Sequence, residues 1–90
     1  MGLYLIIFHV EDSSRQNSLV DFIKQQGPWA RIDNNVWCIK CENRTSVEIR
    51  DSLRNTNYVT EVDRLLVIDI TKSPWASFYL PVEVANWLKN

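Results

Sequence analysis

The chain has no excess of charge: ten Lys and Arg stand against eleven Asp and Glu, a formal net charge of −1. Without a global positive field nothing steers polyanions toward it, so nucleic-acid binding requires a local basic patch. It also lacks any run of the ~18 consecutive apolar residues that a membrane-spanning helix needs, and its N-terminus lacks the positive region that opens a secretory signal. A cytoplasmic protein without a membrane partner is the expectation. Histidine occurs once, at His9, and cysteine twice, at Cys38 and Cys41. In a loop or at a helix start, the C-I-K-C spacing would suit redox or metal chemistry. Here Val36, Trp37 and Ile39 predict a strand. Side chains three apart on a strand point to opposite faces, with Cα atoms about 10 Å apart, whereas a disulfide needs less than about 7 Å. One histidine elsewhere completes no zinc set, so both cysteines are read as structural.

What is present is apolar mass. Hydrophobic residues make up 46% of only 90, with four tryptophans. One domain, 1–90, is expected. A chain this small buries only about 60–65% of its unfolded surface, so surplus apolar area is expected to meet a partner.

Leu3–His9 is apolar at both parities and reads as a central strand covered on both sides. Ser13 and Gln16 have capping-box spacing. Leu19, Phe22 and Ile23 then form a helical stripe that Gly27-Pro28 terminates, which predicts a helix from Ser14 to Gln26. Trp29–Ile32 and Val36–Cys41 flank Asp33-Asn34-Asn35, a hairpin with a tight polar turn. Thr45 and Glu48 form a second capping box, which opens a helix with Val47, Ile49 and Leu53 inward and fades near Asn55-Thr56-Asn57. Arg64–Ile70 is a fourth strand. Pro74 and Pro81 suit helix starts, and Val84, Ala85 and Leu88 form a short apolar stripe.

The order β-α-β-β-α-β plus a helical extension predicts an α+β, ferredoxin-like sandwich with the first and third strands in the middle. Two helices cover one sheet face. The other face should then alternate apolar with polar, but Leu3, Leu5 and Ile7 oppose Tyr4, Ile6 and Phe8, while Leu66 and Ile68 oppose Leu65 and Val67. The C-terminal segment and a second copy of the chain are expected to share that face, so a homodimer is predicted.

The segments LYLIIFHVED, GPWARIDNNVWCIKC, RLLVID and WASFYLPVEVANWLKN resemble the SinR-like family of small bacterial proteins. That family is similar to the ferredoxin-like small subunit of the CRISPR adaptation machinery and to virulence-associated endoribonuclease toxins. The resemblance implies homodimers and, in the nuclease members, a metal held by an aspartate closing the first strand, commonly in a Tyr-Asp pair. Phe8 and His9 occupy those positions here. A hard Mg²⁺ ion wants oxygen donors, for which imidazole is a poor substitute. The reading is therefore a non-catalytic homodimeric binding or scaffold protein without a cofactor, with double-stranded nucleic acid as its ligand. The alternatives are a metal-dependent endoribonuclease, using Mg or Mn, and a protein-interaction or small-ligand-sensing dimer.

The weak catalytic candidates are His9, Glu11 and Asp12, with Asp12 also the weak metal candidate. His9 is otherwise expected to be a partly buried strand-end imidazole, and Glu11-Asp12 a helix-capping pair. Asp69 interrupts an apolar strand and is expected near an edge or beside an arginine. Arg44, Arg50 and Arg54 form the best basic cluster, with Arg50 and Arg54 at i,i+4; Arg15 and Arg31 are further phosphate candidates. RNA-recognition modules share this topology, but VWCIKC has none of the glycines their third strand needs. Trp29, Trp37, Trp75 and Trp87 are expected to serve packing.

Overall fold

The computed structural model describes residues 2–89. Its elements are β1 (Gly2–His9), α1 (Ser13–Lys24), β2 (Trp29–Asp33), β3 (Val36–Cys41), α2 (Ser46–Arg54), β4 (Arg64–Asp69) and α3 (Val82–Lys89). The strands form one antiparallel sheet in the order β2-β3-β1-β4, compatible with a small ferredoxin-like α+β fold and with β1 and β3 central as expected.

The pleat sorts β1 into two sets. Tyr4, Ile6 and Phe8 face the helices and are at most 4% exposed. They pack with Ile39 of β3, Leu19 and Ile23 of α1, and Ile49 and Leu53 of α2. Burying each large aliphatic side chain contributes about 1.5–3 kcal/mol, so this single layer carries most of the fold's stability. Leu3, Leu5 and Ile7 point to the other side and are only partly buried.

The second capping box forms as the sequence predicts. Thr45 Oγ1 accepts from the Glu48 N–H, and the Glu48 carboxylate accepts from the Thr45 N–H. The first does not. Asp12, not Ser13, caps α1, its carboxylate accepting the Arg15 N–H at 3.0 Å. The Gln16 side chain donates to Asn35 Oδ1 at 3.2 Å rather than folding back. Gly27 is demanded by tertiary contact, because a Cβ there would lie 2.3 Å from the Lys40 carbonyl oxygen. Its neighbour Pro28 in turn accepts the Lys40 N–H.

Two further boundaries are corrected. α1 ends at Lys24 and β4 at Asp69. Pro74 starts no helix: residues 73–81 run as an irregular strap, and only Pro81 precedes one, its carbonyl accepting the Ala85 N–H.

Between α2 and β4, residues 55–63 are stapled to the start of α1. The Asp63 carboxylate accepts from the Arg15 guanidinium, the Glu11 N–H, the Thr60 N–H and the Thr60 hydroxyl. Arg15 also donates to the Tyr58 carbonyl. The Arg15 hydrogen bond, helped by the Glu11 and Thr60 donors and opposed by burial, holds Asp63 far below the usual carboxylate range.

Candidate functional site

The side of the sheet away from α1 and α2 is divided. Over β2 and β3, the strap and α3 form a roof. Lys40 ties it down, donating to the Trp87 carbonyl at 2.7 Å with its ammonium 4.3 Å above the Trp87 ring. Beneath it Ala30 and Cys38 are 6% and 1% exposed, and burial pushes the Cys38 thiol up to about 11. A cavity of about 420 Å³ remains between Leu5, Ile32 and Cys38 below and Trp75, Phe78 and Leu80 above.

Over β4 and the Ile7 end of β1 there is no such roof among the described residues. Leu66, opposite Ile7, is 52% exposed, and Ile68, opposite Leu5, is 38% exposed. β4 pairs only with β1 and is an edge of the sheet. Edge strands are normally protected by charge, proline or a bulge. This one places Arg64 and Asp69 at its ends and Leu-Leu-Val-Ile between them. The apolar strip continues round the edge to Val47 of α2, 52% exposed, which shares a shallow groove with Leu66.

The strand-one junction is not a gathered active site. The His9 side chain is 58% exposed, not partly buried as expected, because β1 runs past the sheet's covered area there. Its Nε2 lies 3.3 Å from the Glu11 carboxylate. Asp12 is occupied with the helix cap. Among the described residues no three His, Cys, Asp or Glu side chains form a metal-sized cluster. Asp69 does sit on the edge strand, but its partner is Thr71, whose hydroxyl and N–H lower its pKa. Cys38 and Cys41 are free thiols on opposite faces, Cys41 packing against the helix-side core.

The five candidate arginines do not converge. Arg15 is committed to Asp63 and Tyr58. Arg44 spans the loop before α2, donating to Gln26 Oε1 at 2.9 Å and Ser52 Oγ at 2.8 Å. Arg50 pairs with neighbouring Asp51 at 2.8 Å. Arg50 and Arg54 do share one hollow beside β4, but Glu61 and Asp63 line it as well. Arg31 stands on β2, at the opposite edge of the sheet.

Arg31 has company that the sequence reading passed over. It lines a groove of about 470 Å³ with Lys24, Gln16 and Asn17 of α1 and with the Asn34-Asn35 turn. Gln16 and Lys24 are two helical turns apart on one flank of α1, a spacing legible in the sequence. Only the packing shows that this flank faces the hairpin turn. No helix among the described residues is long and apolar enough to cross a membrane. Compared with known proteins, the sequence matches no family model and no curated protein.

Proposed function

We propose that the protein is a non-catalytic homodimeric binding scaffold, of the kind that its resemblance to the CRISPR-associated small subunit implies, with its protomers meeting over the bare β4 edge of the sheet. One observation carries this reading: an edge strand presents Leu66 and Ile68 to solvent beside Ile7, while the chain's own C-terminal segment is spent on the other half. A second copy suits that strip because a two-fold axis lets one patch cover itself, and an unprotected edge is a template for pairing with another chain. Duplex nucleic acid is the ligand implied by the resemblance. Of the candidate arginines, Arg31 stands at one sheet edge and Arg54 near the other, beside Arg50 with its Asp51 partner, so a duplex would have to bridge protomers.

Sedimentation velocity across the micromolar range tests the reading. The wild-type protein is expected to sediment as a dimer. Leu66→Lys and Ile68→Lys are expected to weaken it at least about tenfold, roughly 1.4 kcal/mol or more, with the far-UV circular dichroism unchanged. A wild-type chain that stays monomeric at high micromolar concentration ends the proposal, and Mn²⁺-dependent RNA cleavage by the pure protein ends its non-catalytic part.

A further inference from the structure

We propose that the groove between α1 and the β2 edge is a binding site for single-stranded nucleic acid, taking one or two unpaired nucleotides. Lys24 and Arg31 would meet phosphate, and the side-chain amides of Gln16, Asn17, Asn34 and Asn35 would meet the free edges of a base or sugar.

The first support is charge. Neither Lys24 nor Arg31 has a carboxylate partner within ion-pair distance among the described residues, and no acidic residue lines the groove. Asp33 lies two residues from Arg31 and Asp21 three from Lys24, but neither forms an ion pair with it. In a chain of net charge −1, two cations without an ion-pair partner in one groove favour an anion there.

The second is the amide set. Four carboxamides line one groove, and each offers both donors and acceptors, the combination that reads base edges. They are held in place rather than adrift. Gln16 Nε2 donates to Asn35 Oδ1 at 3.2 Å, and the indole of Trp37, only 5% exposed at the groove floor, donates to the Asn34 carbonyl at 3.0 Å. That bond fixes the turn and leaves the Asn34 side chain exposed.

The third is the placing of one cation: the Lys24 ammonium lies 4.8 Å and 5.4 Å from the Trp29 and Trp37 ring centroids, which holds it at one end of the groove.

Magnitudes favour a single strand over a duplex. A duplex binder typically neutralises about 6–10 phosphates, and this groove has two cations. In a duplex the Watson–Crick edges are already paired, whereas unpaired nucleotides present them free to the four carboxamides. The groove lies on the helix side of the sheet, opposite the strip assigned to dimerisation, and does not depend on it.

The test is fluorescence anisotropy with a fluorescein-labelled ten-nucleotide RNA of mixed sequence, titrated with the full-length protein at several salt concentrations. Log K should fall with log salt with a slope of about −1.4, two phosphates at about 0.7 each. Lys24→Ala with Arg31→Ala should weaken binding at least about tenfold and flatten that slope. Asn17→Ala with Asn34→Ala should weaken it while leaving the slope unchanged, and Leu66→Lys should leave binding intact. Thermal melts of each variant confirm folding. The proposal is overturned if the single strand does not bind up to millimolar protein, if the Lys24/Arg31 variant binds like wild type, or if an unlabelled duplex or polyphosphate with the same number of phosphates displaces the labelled strand as well as an unlabelled single strand does. A duplex that binds without displacing it leaves the groove's assignment standing and reports on the Arg50/Arg54 side.

Discussion

The two sides of the sheet follow the same strand pattern and meet different fates. On the helix side, Tyr4, Ile6 and Phe8 are sealed by α1 and α2. On the other side, the alternate residues of the same strands are sealed only where the strap and α3 reach, leaving Leu66 and Ile68 in solvent. Hydrophobicity alone therefore does not mark the core of this protein; coverage does. Where the apolar residues outnumber the covering elements, the remainder stays at the surface.

The largest contrast should come from truncating one residue on each side. Ile6→Ala, at a position with no exposure, is expected to cost about 2–5 kcal/mol in urea unfolding, transfer plus cavity. Leu66→Ala should cost well under half of that in dilute protein, since its side chain is already half in water. Equal losses at both positions would mean that the second side is as closed as the first.

Acid should also act on the helix side, through the Arg15–Asp63 staple. Because Asp63 is held far below its usual pKa, its contribution to stability is fully present above the unfolded carboxylate value of about 3.9. It is lost as the pH falls from there toward the depressed folded value. Asp63→Asn should be less stable than wild type at pH 7 and should lose less on going from pH 5 to pH 2. Parallel stability–pH curves for the two proteins would remove the staple from the account.

The roofed half of the second side offers a finer comparison. Cys38 is 1% exposed, with its thiol pushed to about 11, so it should react slowly with a thiol reagent at pH 8. Half-buried Cys41 should react sooner. Trp75→Ala removes part of the roof over Cys38 and should speed its labelling by roughly an order of magnitude, with little effect on global unfolding. An unchanged rate would show that the strap is not what protects the thiol.

Several features were legible from residues alone because they depend on short-range geometry. The Thr45–Glu48 box is one: its donors and acceptors are three residues apart and need nothing else. The hairpin at Asn34-Asn35 is another. Ser13 and Gln16 had the same spacing, but the box did not form, because Asp12 offers a carboxylate to the same turn and Asn35 draws Gln16 away. Pro74 looked like a helix start, yet the strap follows the sheet surface instead. Of the phosphate candidates, Arg15 and Arg44 are tied up by partners that no local pattern announces: Asp63 lies 48 residues from Arg15, and Gln26 lies 18 from Arg44. Lys24 was overlooked because its neighbours Arg31 and Asn34 come from another element.

The sequence by itself determined the element order, the two apolar parities of β1 and β4, and the helix cap at Thr45, since alternation and capping are set by residues a few positions apart. Only the tertiary structure decided which half of the second side is roofed, which arginines are spent, and that an amide-lined groove carrying Lys24 and Arg31 opens beside β2. Those outcomes depend on which distant segments are brought within a few ångströms of each other, and no local period in the chain records that.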